Sequence, residues 1–449
     1  MPMAERIVSR VLLLLACWLG PSLLYWWWFE PVLPFYPILN LDLLLAGVVA
    51  CLVPRLAIPA FLLAAGVAVL VAVVAIFHFH SPIDLMRYGE APTMDFAALA
   101  VEQAGFAVLV GVVVLAGWVG VKVATRRQAI WMLGVIAMLA IADQRQWSER
   151  LPPSRYGPIN VVGSPGLALV KHHLLAPPGR IDQLNDRVRL ADRTYEWAAA
   201  HPGRSIVFVV VESLGAPKDA GLGEWLDTAL RPPSGYRMER GTAPFKGSTT
   251  AGELRQLCQL AGSYEHLRPD STTEGCLPAR LARLGYATEG FHAFSGRMFQ
   301  RVRWWSLVGL QRGNFLEELG PRLSAQRCGQ AFRGLCDEEI VDLIGAASPL
   351  EDGRFSYLLT LNTHLPVDTI ENRSMPGEVC EAYQAPGRAC VLLGMHARLF
   401  NRLRDKLLSR PDRPLLVVVG DHAAPLSVPG ERGVFVPDHV PYWILVPES

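Results

Sequence analysis

The sequence predicts two fold classes in one chain: a membrane domain of five helices, and then an α/β domain with a mostly parallel sheet and helices on both of its faces. Two observations predict this division. Apolar segments are concentrated in the first third of the 449 residues. After Arg204, short apolar strands alternate with helical segments, which is typical of a parallel sheet.

The membrane domain is predicted over residues 1–143, because this stretch carries repeated apolar segments close to the length of about 20 residues that crosses a bilayer. A Trp26-Trp27-Trp28 run in the first segment marks a membrane interface and argues against a cleaved signal peptide. The second and fifth segments are short. The five segments are Val11–Phe29, Leu39–Val53, Pro59–Phe77, Ala97–Val121 and Ala129–Ala142.

Basic residues predict the orientation of these segments. Arg6 and Arg10 precede the first segment, Arg55 follows the second, and Arg126 lies between the fourth and the fifth. The positive-inside rule places them on the cytoplasmic side. We therefore expect the chain from Asp143 onward to lie outside, with a connector over residues 144–203 and a globular domain over residues 204–449.

Six of the eight cysteines fall in the predicted outer domain. An even set in an oxidising compartment predicts up to three disulfide bonds, among 15 connectivities. Proximity in the sequence favours the pairs Cys258–Cys276, Cys328–Cys336 and Cys380–Cys390, with free thiols as the alternative. The other two cysteines, Cys17 and Cys51, belong to predicted membrane segments.

Two apolar strands of the outer domain end in residues that bind metals. Ile206–Val211 is followed by Glu212, and Leu415–Val419 is followed by Gly420, Asp421 and His422. In open α/β sheets, chemistry gathers at the carboxyl ends of the strands. Two carboxylates and an imidazole suit zinc or manganese better than calcium, so we expect one or two such divalent ions.

Between these strands lies a loop rich in hydroxyl groups, Lys246-Gly-Ser-Thr-Thr-Ala-Gly-Glu253. Thr250 and Glu253 fit a capping box at a helix start, and a capped surface helix without further function is one reading. If Thr250 is the cap, Thr249 keeps a free hydroxyl beside a helix N-terminus, which favours an anion. A base or a metal must activate such a hydroxyl. Thr249 is therefore the predicted nucleophile and fourth metal ligand, with Thr250 as the alternate.

Further polar residues are candidates for substrate contacts. His292, Arg301 and His364 could hold phosphate oxygens and move a proton; ordinary packing is the alternative for each. His439 is expected to be structural rather than a ligand, and packing is favoured slightly over a pocket for Trp304 and Trp305. The net charge of +1 gives no indication of nucleic-acid binding.

The order of the predicted domains, together with Glu212, Gly247-Ser-Thr249 and Gly420-Asp421-His422, resembles the membrane-anchored alkaline phosphatase/sulfatase-like superfamily. Within it, the chain resembles lipoteichoic acid synthase and the phosphoethanolamine transferases, including the cellulose-modifying branch. The resemblance implies an alkaline-phosphatase-like fold. It also implies metal binding by Glu212, Asp421 and His422, nucleophilic attack by Thr249, and substrate binding by His292, Arg301 and His364.

This resemblance further implies transfer of phosphoethanolamine or glycerol phosphate from a membrane phospholipid, through a phospho-threonine, onto an envelope glycan or glycolipid. The protein is then expected in a bacterial cytoplasmic (inner) membrane, with several spans and a periplasmic or extracellular catalytic domain. Three alternatives stay open: a phosphatase or phosphodiesterase, a sulfatase that uses Cys276-Leu-Pro-Ala-Arg280, and a non-catalytic member of an envelope polysaccharide complex.

Overall fold

The computed structural model forms two compact units, the first with described residues up to position 170 and the second with those from position 181. We describe each unit by itself. The described residues are 18–27, 37–76, 111–112, 114–115, 125–148, 162–170, 181–245, 247–329, 332–350, 353–365, 367, 377–424, 426 and 429–448.

The first unit is helical, with an additional helical stretch over residues 18–27. Asn40 caps one helix, because its side chain accepts hydrogen bonds from the amides of Asp42 and Leu43. A short parallel pairing joins Leu39–Asn40 to Val162–Gly163. The remaining helices are Leu41–Leu52, the 3₁₀ turn Pro54–Leu56, Ala57–Ile76, Arg126–Ser148 and Pro165–Val170.

Described helical residues occur in all five segments predicted to cross a membrane, at positions 111, 112, 114 and 115 in the fourth. Among the described residues, however, none of the helices has both the length and the apolar composition that crossing a bilayer requires. Most of the fourth predicted segment, Ala97–Val121, lies outside the described residues. The five-span membrane domain therefore stays a prediction.

The second unit is built on a sheet with seven strands among its described residues. In chain order the strands are β1 (Ile206–Val211), β2 (Tyr236–Pro244), β3 (Ala287–His292), β4 (Arg312–Asn314), β5 (Arg354–Leu359), β6 (Leu415–Gly420) and β7 (His439–Pro447). The order across the sheet is β2-β7-β6-β1-β5-β3-β4. Neighbouring strands from β6 to β4 pair in parallel, and β7 pairs antiparallel with both β6 and β2.

Helices cover both faces of this sheet. On one face, Phe208 of β1 belongs to a buried cluster with Leu190, Leu254 and Leu277, which come from three helices. On the opposite face, Trp443 of β7 packs edge-on against Phe400 of the long helix Gly387–Leu403. The main helices of this unit are Leu190–Ala200, Ala220–Leu230, Thr249–Cys258, Leu277–Arg283, Arg301–Leu307, Asp337–Gly345 and Gly387–Leu403, and the shorter ones are Ser271–Glu274, Leu316–Leu319, Gly377–Ala382 and Pro429–Arg432.

The predicted mostly parallel sheet with helices on both faces is confirmed. Two strands were not predicted, Tyr236–Pro244 and Arg312–Asn314. The first lies at an edge of the sheet, with three charged residues in its first half and small residues in its second half, so it lacks the apolar run of a central strand. The last predicted strand, Tyr442–Val446, is longer and runs antiparallel.

The three disulfide bonds predicted from sequence proximity are all present: Cys258–Cys276, Cys328–Cys336 and Cys380–Cys390. The free-thiol alternative is therefore wrong for these six residues. Cys51 is a free cysteine, and Cys17 lies outside the described residues.

Candidate active site

The carboxyl ends of two adjacent strands bring Glu212 and Asp421 together. Gly420 of β6 pairs with Val211 of β1, so the residues that follow these two are neighbours. Both carboxylates are buried. A side chain at position 420 would place its Cβ 2.1 Å from the carbonyl oxygen of Leu214, which explains why a glycine precedes Asp421.

Thr249 is the first residue of the helix Thr249–Cys258 and directs its hydroxyl at this pair. Its Oγ1 donates to Glu212 Oε2 at 3.1 Å and lies 3.4 Å from His422 Nε2. The helix approaches closely because residue 252 is a glycine. A Cβ there would lie 3.0 Å from the carbonyl oxygen of Asp421 and 3.3 Å from its Cα.

The predicted capping box is wrong. Ser248 caps the helix, because its hydroxyl accepts from the amide of Ala251, and the helix starts at Thr249 rather than after Thr250. The hydroxyl of Thr250 is buried and bonds that of Ser248. Glu253 faces the interior, where an arginine is a stronger partner than a free amide. Thr249 is nevertheless the threonine that faces Glu212.

The Nε2 atom of His422 faces the carboxylates of Glu212 and Asp421. Its Nδ1 lies 3.0 Å from the carbonyl oxygen of Ala423, so Nδ1 carries the hydrogen and Nε2 is free to accept or to bind a metal. Nε2 lies 3.3 Å from Asp421 Oδ2 and 3.5 Å from Glu212 Oε1. This orientation is the one that a metal-binding imidazole needs.

The donor set fits a divalent cation. One ligand atom each from Glu212, Asp421 and His422 lies within 4.8 Å of the others. Asp421 Oδ2 is buried and has no hydrogen-bond partner among the described residues. Two oxygens and one nitrogen suit zinc or manganese, and Thr249 Oγ1 is close enough to Glu212 and His422 to complete the set.

The pKa shifts of Asp421 and Glu212 also favour a bound cation at this site. Burial, and then the neighbouring Glu212 carboxylate, raise the pKa of Asp421 well above its usual value. Burial acts upward on the pKa of Glu212 too, but electrostatic interactions with His364 and His422 and hydrogen bonds with Ser213 and Asp421 together outweigh it, and that pKa is lowered. Two carboxylates in one buried site cannot both stay charged without a cation. A divalent ion would supply the missing charge.

The three residues predicted to bind substrate separate into two places. His364 interacts electrostatically with Glu212 and His422. Its Nδ1 donates to the carbonyl oxygen of Leu365 at 2.6 Å. His292 and Arg301 are buried in the interior. Burial, and then the charge of Arg301, lower the pKa of His292.

Arg301 is occupied by a carboxylate in this structure. Its Nε and Nη2 donate to Glu253 Oε2 at 3.0 and 2.8 Å, and its side chain is 2% exposed. Trp305 Nε1 and the hydroxyl of Tyr357 donate to Glu253 Oε1 at 3.0 and 3.1 Å. Substrate binding by Arg301 stays a prediction, and the observed contact is an ion pair one helical turn below Thr249.

Several residues around Glu212 were not predicted. Ser213 has a left-handed backbone with φ of 57°, and its hydroxyl donates to Glu212 Oε1 at 3.0 Å. Thr360, Thr363 and His396 bond the main chain of Glu212. The two threonines follow the carboxyl end of β5, so their place in the sequence could have predicted a position near the site. His396 lies within a helix, and nothing in the sequence pattern predicted its contact with Glu212.

Two further alternatives are resolved by the structure. Trp304 and Trp305 are packed in the core. Cys276 forms a disulfide bond with Cys258, so it lacks the thiol that a sulfatase would convert to formylglycine. His439 begins β7, with Nδ1 2.9 Å from the carbonyl oxygen of Pro437, and is not part of the donor set among the described residues.

No model of a protein family matches the sequence, and no curated protein matches it. Solved structures do show similarity. Lipoteichoic acid synthase LtaP from Listeria monocytogenes is 12% identical, with a TM-score of 0.42 over 55% of this chain. The match spans 66% of the Listeria chain, slightly under two thirds of its length.

Two other solved structures are similar over a larger share of this chain. The Streptococcus pyogenes phosphoglycerol transferase GacH, solved with sn-glycerol-1-phosphate, is 12% identical with a TM-score of 0.36, over 59% of this chain and 77% of that one. The periplasmic domain of EcEptC from Escherichia coli, solved with Zn, is 11% identical with a TM-score of 0.37, over 61% and 77%. At these identities the similarity concerns the fold.

Proposed function

We propose that this protein is a metal-dependent transferase that moves a phosphate ester from a phospholipid headgroup onto an envelope glycan or glycolipid, through a covalent phospho-threonine at Thr249. The observation that carries the proposal is the position of one hydroxyl. Thr249 Oγ1 stands at a helix N-terminus, 3.1 Å from a carboxylate and 3.4 Å from an imidazole nitrogen with a free lone pair.

The residues around Thr249 are suited to hold and activate an oxygen nucleophile. A zinc or manganese ion, when bound by Glu212, Asp421 and His422, would lower the pKa of the threonine hydroxyl. The amides of the first helical turn and the positive end of the helix dipole favour the phosphate anion beside it. The chain itself therefore orients the hydroxyl and supplies the charge that the phosphate needs.

The proposed reaction has two steps that mirror each other. In the first, Thr249 Oγ loses its proton and bonds phosphorus, while the bond from phosphorus to the diacylglycerol oxygen breaks and that oxygen gains a proton. In the second, an acceptor hydroxyl loses its proton and bonds phosphorus, and Thr249 regains a proton as its own bond breaks. We assign the proton movements to His364, which interacts electrostatically with Glu212 and His422 and is oriented by the bond from its Nδ1 to the carbonyl oxygen of Leu365.

The lipid donor is proposed from the apolar first third of the sequence, which would keep the catalytic domain at a membrane surface. Phosphatidylethanolamine and phosphatidylglycerol are the two donors considered, and His292 and Arg301 are proposed to contact the transferred group. Arg301 would reach it with the side of its guanidinium that faces away from Glu253.

The experiment supplies full-length protein in vesicles with labelled phosphatidylethanolamine or phosphatidylglycerol and with zinc or manganese. Diacylglycerol release should depend on the metal and on Thr249, and label should appear in a glycan or glycolipid acceptor. Thr250→Ala is the matched control, because its hydroxyl faces Ser248, and it should retain most of the activity.

Two results would reject the proposal. Diacylglycerol release that persists in a Thr249→Ala, Thr250→Ala double variant would exclude the covalent mechanism. Release of the labelled headgroup to water at the same rate with and without acceptors would identify a hydrolase instead, since hydrolysis and transfer differ in the final acceptor alone.

A further inference from the structure

The main chain of Glu212 is held by side chains from two other elements. Its carbonyl oxygen accepts from His396 Nε2 at 3.1 Å and from Thr363 Oγ1 at 2.6 Å, and its amide donates to Thr360 Oγ1 at 2.9 Å. All three partners are buried. His396 comes from the helix Gly387–Leu403, and the two threonines come from the segment that follows β5.

The restraint applies at a strained point of the backbone. Ser213, the next residue, has φ of 57°, and a left-handed conformation is unfavourable for a residue other than glycine. The amide of Ser213 donates to Asp421 Oδ1 at 2.8 Å. The turn therefore sets the direction of Glu212 and also its spacing from Asp421, and it persists because its surroundings over-determine it.

His396 is an unusual residue for the place it occupies. Its side chain is 0% exposed, and its Nδ1 has no hydrogen-bond partner among the described residues. Its buried neighbours along the same helix are apolar, among them Leu392, Leu399 and Phe400. A buried polar atom without a partner is destabilising, and a leucine would avoid that penalty. The bond from Nε2 to Glu212 is the contact that a leucine could not make.

We propose that His396 and Thr363 are positioning residues that fix the main chain of Glu212 and thereby hold its carboxylate in place for a divalent cation. The inference rests on the metal site of the proposed function. Neither residue touches the cation, and both act through Glu212. Partners that orient metal ligands typically contribute 10–100-fold to metal affinity, and a similar loss is expected here.

The test measures zinc affinity of the full-length protein by competition with a chelator of known affinity. His396→Leu and Thr363→Val remove the donors, whereas His396→Gln and Thr363→Ser retain an N–H or O–H near the same position. We expect the first pair to weaken zinc binding about 10–100-fold and the second pair to stay within a few-fold of the wild type. Because both donors share one acceptor, their combined loss should be less than the product of the single losses.

Thermal unfolding of the metal-free variants separates this role from packing. A lower melting temperature with unchanged zinc affinity in His396→Leu and Thr363→Val would overturn the inference. If His396→Leu does not fold, Thr363→Val decides: weaker zinc binding supports the inference, and unchanged binding overturns it. Wild-type protein that binds neither zinc nor manganese would overturn both the metal site and this inference. Equal binding by the wild type and all variants would overturn this inference alone.

Discussion

Two glutamates flank Thr249, and their surroundings differ in kind. Glu253 is buried with a full set of donors, namely Arg301, Trp305 and Tyr357. Glu212 is also buried, but the charged groups paired with it among the described residues are a histidine and, nearby, a second carboxylate. Glu253 and Arg301 carry opposite charges, so the surroundings of Glu253 are neutral without a bound ion. Among the described residues, no arginine or lysine is paired with the Glu212 carboxylate.

This difference separates structure from chemistry. A buried carboxylate that already has an arginine is complete, and it contributes by joining the helix Thr249–Cys258 to Arg301 and to β5. A buried pair of carboxylates without an arginine or lysine is complete when a cation binds. The proposal therefore assigns Glu253 to the framework and Glu212 to the metal site.

Stability of the metal-free protein gives the largest expected contrast. Glu253→Gln leaves Arg301 buried without its partner, and breaking such a pair costs about 3–5 kcal/mol. Glu212→Gln removes one of two like charges, so the free energy of unfolding should stay the same or rise. Urea unfolding with a chelator present measures both. Equal destabilisation by the two variants would erase the distinction.

Zinc should stabilise the protein through the carboxylates of the proposed metal site and not through Glu253. At a free zinc concentration of 100 times Kd, binding adds about 2.7 kcal/mol to the free energy of unfolding. The gain should vanish in Asp421→Asn and persist in Glu253→Gln, as followed by the melting temperature with and without zinc. A zinc-dependent shift that survives in Asp421→Asn would place the ion elsewhere.

A smaller effect is expected from the spacing between the nucleophile helix and Asp421. Gly252→Ala would put its Cβ 3.0 Å from the Asp421 carbonyl oxygen and move the helix by a few tenths of an ångström. Because misplacement by about 1 Å can cost 100-fold, we expect roughly a tenfold loss of turnover. Gly223→Ala is the matched control, since its Cβ would meet no atom within 4 Å. Equal turnover in both variants would show that the spacing has no role.

The sequence was enough to predict the proposed metal ligands because Glu212 follows one apolar run, and Asp421 and His422 follow another after Gly420, and both runs could be recognised as central strands. Glu212 and Asp421 needed no long-range information beyond the pairing of β1 with β6. The disulfide bonds were predictable for a similar reason, since each joins neighbours in the sequence.

The sequence did not show which polar side chains are buried, or which residues far along the chain they contact. Glu253 fitted a capping box in the sequence, and the ion pair with Arg301, 48 residues away, is invisible in that pattern. Ser248 was an equally good cap, and the choice between adjacent hydroxyls depends on which side chain the core covers. His396 reaches Glu212 across 184 residues, and a histidine in an amphipathic helix carries no sign of its target.

The most direct test of the central claim is to identify the covalent intermediate. Full-length protein is incubated with zinc and phospholipid, quenched in acid, digested and analysed by mass spectrometry. We predict a phosphoethanolamine or phosphoglycerol adduct on Thr249 that is absent from Thr249→Ala and present in Thr250→Ala. An adduct on Ser248 or Thr250, or turnover in Thr249→Ala, would contradict the account.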